Sequence, residues 1–224
     1  MRKLTFGLLF ALVAGLSFAQ DAKKEEPKKD DPKKEEPKKD DKGTPPAPAA
    51  AVTTDYYPLA KGTKWTYTMG QTEVQVEVTD VTGGEAKLVT KHSNKVVADE
   101  NIKVTADGVY RTKVNNTPIE PPVKLIGLKD GKPTKGEKWN VKSKVQQTEV
   151  SGEFEVKDTA ASVKIGEKDY KDVVYVEGPK FMIAGTETAV RYWFAPKSGI
   201  VKLSYTIGGQ DSAPLELKTF EAGK

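Results

Sequence analysis

Apolar residues at every second position constrain this chain more than any other feature. Val74, Val76 and Val78 alternate with Gln75 and Glu77. Val190, Tyr192 and Phe194 alternate with Arg191, Trp193 and Ala195. Val201, Leu203, Tyr205 and Ile207 alternate with Lys202, Ser204 and Thr206, and Leu215 and Leu217 flank Glu216. Val150, Phe154 and Val156 share a face opposite Glu153 and Glu155. A period of two puts one face of a strand in a core and the other in water, the pattern of antiparallel sheets. No stretch carries an apolar period of 3.6 with caps. Turn signals divide the runs: Gly83-Gly84, Asp107-Gly108, Asp130-Gly131, Gly166, Ser198-Gly199 and Gly208-Gly209. Turn spacing of about 8–12 residues predicts ten to thirteen short strands. The expected fold is all-β: an antiparallel meander forming a strongly curved sheet or a barrel-like domain over residues 55–224.

The chain before that domain has a different composition. Arg2 and Lys3 precede an apolar run from Leu4 to Phe18, and Ser17-Phe18-Ala19 fits a small-x-small cleavage site. The run is shorter than the ~20 residues a spanning helix needs. Residues 1–19 therefore read as a signal peptide, and the domain is expected to be exported, periplasmic or extracellular. Next comes a repeat, Lys23-Lys24-Glu25-Glu26-Pro27 then Lys28-Lys29-Asp30-Asp31-Pro32, run through again to Asp41. Pairs such as Glu25 with Lys29 favour a helix by roughly 0.3–0.5 kcal/mol each. A proline every five residues costs about 3 kcal/mol each time, so the helix loses. With the Pro/Ala stretch that follows, residues 20–54 are expected to be a disordered, hydrated linker. At ~3.1 Å per residue its charged part alone could reach about 60 Å.

Charge and chemistry exclude several functions. Net charge is +4 overall, but residues 43–224 hold 25 basic and 23 acidic side chains with no basic cluster among aromatics, so nucleic acid is not an expected partner. The chain has no cysteine, which removes disulfides, thiol nucleophiles and attachment of a lipid at a processed N-terminal cysteine. His92 is the single histidine and sits in what reads as an exposed turn, so a multi-histidine metal site is excluded. No Gly-x-Ser-x-Gly elbow and no glycine-rich phosphate loop occurs. Asp99-Glu100 lies in a polar stretch without calcium-loop spacing, and the acids generally alternate with lysines as on a solvated face. Asn115-Asn116-Thr117 is a formal glycosylation sequon but reads as a turn. No catalytic residue, metal ligand or cofactor is assigned; a carboxylate pair meeting in space is the remaining route to a hydrolase.

Two stretches repeat. Lys61-Gly62-Thr63-Lys64-Trp65 returns as Lys135-Gly136-Glu137-Lys138-Trp139, and each is followed by Gln-Thr-Glu-Val, at Gln71 and at Gln147. Asp107-Gly108-Val109-Tyr110-Arg111 has a later counterpart in Ser198-Gly199-Ile200-Val201-Lys202. Either the domain has two related halves, or a chain rich in Lys, Gly and Val repeats itself by chance.

Together, Tyr56-Tyr57-Pro58-Leu59, Gly62, Trp65-Thr66-Tyr67, the Asp107 to Arg111 motif, Gly136 with Trp139, and Tyr192-Trp193-Phe194-Ala195-Pro196-Lys197-Ser198-Gly199-Ile200-Val201-Lys202 resemble a family of bacterial exported β-rich proteins. Its pattern opens Y-x-P-L-x-x-G-x-x-W-x-Y and closes Y-W-F-A-P-x-x-G-[IVL]-V-K. Lys197-Ser198 departs from the small or apolar residues usual before that glycine. The resemblance implies an extracytoplasmic domain of unknown function and supplies no catalytic residues.

Two functions fit. One is a non-enzymatic structural or interaction module of the cell envelope or exterior, monomeric, without a transmembrane span once the signal is removed. The other is a carrier of an apolar, lipid-like small molecule, with a cavity lined by residues such as Val76, Tyr192, Phe194, Leu203 and Leu217. The module requires an exposed apolar patch; the carrier requires a void. Trp193, Tyr192 and Phe194 are the candidate ligand or partner surface, with Trp193 on the face opposite the other two.

Overall fold

The computed structural model describes residues 54–223; the expected signal and nearly all of the expected linker lie outside the described residues. Thirteen strands follow in order: β1 (Lys64–Met69), β2 (Thr72–Thr82), β3 (Glu85–His92), β4 (Lys95–Thr105), β5 (Gly108–Val114), β6 (Thr117–Gly127), β7 (Lys138–Val145), β8 (Thr148–Ile165), β9 (Lys168–Ile183), β10 (Thr186–Ala195), β11 (Gly199–Ile207), β12 (Gln210–Asp211) and β13 (Leu215–Glu221). No helix occurs among the described residues. Every pairing is antiparallel, and neighbours in sequence pair without interruption from β1 to β11. β13 then inserts between β11 and β1, pairing Lys202 with Glu216 on one side and Met69 with Leu215 on the other. Twelve strands thus close into a barrel, with β12 a two-residue appendage on β11.

Two expectations need correction. The strands are not all short: β8 and β9 run 18 and 16 residues. Their register slips repeatedly, so the hairpin bends instead of breaking, and the extra length is absorbed at bulges. Its far end folds onto the β1–β13 wall, where Ile165 and Tyr170 are buried beside Thr68 and Leu217. His92 is the last residue of β3 instead of a turn residue, with its Nδ1 3.0 Å from the Glu73 carbonyl oxygen. The turn itself is Ser93-Asn94, both with positive φ, as are Asn115 and Asn116 between β5 and β6. This is the backbone that tight two-residue hairpins need.

Alternation sorts the wall as the sequence indicates. Trp65, Tyr67, Val74, Val76, Val78, Leu88, Ile102, Val156, Val176, Tyr192 and Phe194 are buried in one continuous core. The outer face carries cross-strand ion pairs: Lys91–Glu77 at 2.9 Å, Arg191–Glu177 at 3.0 Å, Lys202–Glu216 at 2.7 Å and Lys218–Glu73 at 2.6 Å. A barrel that crosses a membrane carries its apolar band outside; this one carries it inside. A round ring of twelve strands encloses a wide lumen. Here opposite walls meet instead. Arg111 on β5 reaches Tyr192 on β10, and the Phe181 ring occupies the space above Gly152 and Gly178 where side chains would otherwise stand.

The repeated motif has one geometry in both places. Gly62 and Gly136 have φ of 83° and 81°. Gly62 N–H donates to the Val78 carbonyl at 2.8 Å and Thr63 N–H to Ala60 at 3.0 Å; Gly136 donates to Val156 at 2.8 Å and Glu137 to Thr134 at 3.1 Å. The return bonds match too, Val78 to Thr63 and Val156 to Glu137, both at 2.9 Å. Each turn delivers a tryptophan to the first residues of a strand, β1 or β7. Trp65 is fully buried, whereas Trp139 is half-buried against Phe154.

Candidate functional site: the strap-closed end of the barrel

Residues 54–60 join no strand. They form a strap across the barrel end that also carries the β2–β3, β4–β5 and β10–β11 turns. Lys197 N–H donates to the Asp55 carbonyl at 2.7 Å. Tyr57 drops into the barrel, its ring centroid 6.0 Å from Trp65 and 6.5 Å from Phe194. The Trp65 indole N–H donates to the Ser198 carbonyl at 2.7 Å, and Gly199 leaves room for Pro58 and Trp65 together. The opening motif and the late motif are therefore one contact: Tyr57, Pro58 and Trp65 pack on Phe194, Ser198 and Gly199.

Below Tyr57 lies a polar cluster that sequence reading missed. Glu100 on β4 and Arg111 on β5 form an ion pair at 2.5 Å, with side chains only 15% and 12% exposed, inside the barrel. Burial alone would lower the Arg111 pKa; Glu100 and the tyrosines around it more than offset this and keep the guanidinium charged. Tyr192 and Tyr205 lie beside the pair. Burial first, then the Glu100 charge, raises the hydroxyls of Tyr57 and Tyr67 above the ordinary tyrosine range. Tyr67 donates to the Ile200 carbonyl at 2.8 Å. The cluster surrounds a cavity of about 60 Å³, room for a few waters.

On the other side of Tyr57 is a second space. Pro58, Leu59, Val81, Ala86 and Val104 line an open, mainly apolar pocket of about 480 Å³. Tyr57 borders both spaces. Val81 is 38% exposed there, while the other exposed large apolar residues, Val96, Val97 and Met182, lie toward the opposite end. The apolar surface expected of an interaction module is thus split between the two ends.

The three candidate surface residues separate as alternation requires. Tyr192 and Phe194 are buried and stack on each other at 5.6 Å. Trp193 is on the outer wall, stacked on its cross-strand partner Tyr175 at 4.9 Å and 21°, with the Lys202 ammonium 5.8 Å from its ring centroid. Burial, then Glu177, pushes the Tyr175 hydroxyl up to about 12. Trp193 thus has a partner on each neighbouring strand. Of the proposed carrier lining, Val76, Tyr192 and Leu203 border the inner cavity, while Phe194 and Leu217 are core residues away from it. No group of three His, Asp or Glu that could hold a metal occurs among the described residues. No helix among them is long and apolar enough to cross a membrane.

These features define a closed antiparallel meander barrel, filled within and charged without. No family model matches the chain, and no curated protein matches it. Two solved structures are similar. One is a protein of Parabacteroides distasonis provisionally assigned as a lipoprotein, with a TM-score of 0.51 and 13% identity over 76% of this chain and 100% of that one. The other is a provisionally assigned exported protein of Bacteroides fragilis with a YmcC-like fold, with a TM-score of 0.49 and 13% identity over 75% and 100%. At this identity the likeness to the first is one of fold alone.

Proposed function

We propose that the chain is an exported, non-enzymatic β-barrel that acts as an interaction module of the cell envelope or exterior, binding at its strap-closed end. The carrying observation is where the barrel leaves room: about 60 Å³ within, against about 480 Å³ of mainly apolar pocket at the strap. The ring leaves free strand edges mainly at the far end of the β8–β9 hairpin, away from the strap, so at the strap an apolar group of an envelope component seated in that pocket is the contact the shape favours. The signal-like N-terminus supports export, and the charged repeat supports a spacer between the barrel and whatever its N-terminus meets. The carrier reading has no room for an enclosed lipid while the strap is closed. It is supported only by the mouth pocket, whose size falls in the range of small-molecule sites.

The test is to express the full chain through its own export route and compare it with Val81→Asp, a change at an exposed mouth position. Wild type is expected in the envelope fraction and the variant in the soluble fraction, with equal melting temperatures. A variant that stays with the envelope overturns the reading. Native mass spectrometry that finds a lipid-sized mass held equally by wild type and Val81→Asp replaces it with the carrier.

A further inference from the structure

The mouth pocket and the inner cavity differ in character but share a wall, and that wall is one side chain. Tyr57 has the apolar mouth on one side and the Glu100–Arg111 pair on the other. The strap that carries it belongs to no strand, and its backbone bonds to the rest of the barrel at two points, Lys197 N–H to the Asp55 carbonyl and Thr63 N–H to the Ala60 carbonyl. Segments with few backbone bonds open below the global unfolding energy, and here the opening costs the packing of Tyr57 on Trp65 and Phe194.

The buried ion pair is the second observation. A barrel filled with apolar side chains gains little stability from a buried pair; well-packed apolar residues of similar volume serve as well or better. Yet Glu100 and Arg111 occupy inward positions, with Tyr192 and Tyr205 adding hydroxyls beside them. Such a cluster is what a site needs when it must hydrogen-bond a polar group out of water.

We infer that the mouth and the interior are one amphipathic site divided by Tyr57, and that its ligand is an amphiphile with an uncharged, hydroxyl-bearing head. The inference rests on the reading of the strap end as the binding end. Displacing Tyr57 joins the two spaces. The head then meets Glu100, Arg111 and the tyrosine hydroxyls, while the apolar part stays against Leu59, Val81 and Val104 in the mouth. Glu100 neutralises Arg111 at 2.5 Å, so a charged head would leave a net charge buried, and an uncharged one does not.

The experiment measures binding to the full chain of monodecanoylglycerol and of methyl decanoate, which has the same chain without the hydroxyls. Wild type is expected to bind the glycerol ester at least tenfold more tightly. Tyr57→Ala removes the divider and is expected to tighten that binding about tenfold or more. The pair Glu100→Gln with Arg111→Met is expected to abolish the preference between the two probes. Should that pair fail to fold, Tyr192→Phe with Tyr205→Phe removes only hydroxyls and is expected to weaken the same preference. Equal affinity for both probes, no binding of either, or no effect of Tyr57→Ala overturns the inference. Binding that is lost in Val81→Asp but indifferent to Glu100 and Arg111 also overturns it, while leaving the mouth as the binding end. Binding indifferent to Val81→Asp counts against the mouth itself.

Discussion

Glu100 and Arg111 stand 2.5 Å apart among inward positions that are mostly aliphatic or aromatic. Removing one member strands the other, so Glu100→Ala is expected to cost about 3–5 kcal/mol in urea denaturation. The paired Glu100→Gln, Arg111→Met variant is expected to stay within about 1 kcal/mol of wild type. The position was legible in principle: Ala98, Glu100, Ile102 and Val104 alternate, which turns Glu100 inward. Composition obscured it, because Lys95, Asp99 and Lys103 make the stretch look solvated. Its partner could not be read, since a bulge between Asn101 and Ile102 shifts the register that brings Arg111 alongside. Asp107 shows the opposite case, a motif residue with a purely structural role. It accepts hydrogen bonds from Thr105 at 2.6 Å, Tyr110 at 2.5 Å and Lys124 at 2.9 Å, which hold its carboxyl well below the usual carboxylate range. A lowered folded value means stability that is complete above the unfolded carboxylate pKa and lost as the pH falls through the folded one. The side chain is 62% exposed, so screening keeps the effect below about 1 kcal/mol. Asp107→Asn is therefore expected to be slightly less stable than wild type at neutral pH. The difference should shrink as the pH falls below about 4.

The two opening turns give an experiment in duplicate. Gly62 and Gly136 share a left-handed φ and a hydrogen-bond pattern, and a Cβ added at either meets no close atom. Alanine there strains the backbone and nothing else. Each substitution is expected to cost about 1–2 kcal/mol, and the two together should add within about 0.5 kcal/mol. Thermal or urea unfolding of the three variants checks this; unequal costs would mean the two turns differ in ways their bonds do not reveal. At this scale the sequence was informative wherever order is local. Gly83-Gly84, Asp107, Gly166 and Gly208-Gly209 fall between strands, Gly108 opens β5, and Pro196 follows the last residue of β10. The β8–β9 hairpin was illegible as one long element. Its bulges break the alternation between Asp158 and Val163, so the pattern stops reading as strand where the strand only bends.

Closure belongs to the whole molecule and leaves no local trace. The alternation of Leu215 and Leu217 identifies β13 as a strand, but nothing near it names β1 and β11 as its neighbours. The meander up to β11 could equally have stayed an open curved sheet. What closes it is the fit of one strand across some 150 residues of chain, with Trp65 packed on Phe220 at 5.9 Å and Tyr67 bonded past β13 to Ile200. The same fit brings the first and last described segments together. Gly223 N–H donates to the Thr63 hydroxyl at 3.0 Å and packs on the backbone of Ala60 and Lys61. A ring has no privileged starting point. A circular permutant that links Gly223 to Thr54 through a short glycine-rich bridge and opens the chain between Gln146 and Gln147 is expected to fold to the same barrel, with the same near-ultraviolet circular dichroism. Chain order would then be a convention of synthesis, and the leading end of the polypeptide could be moved away from the strap without disturbing the wall it closes.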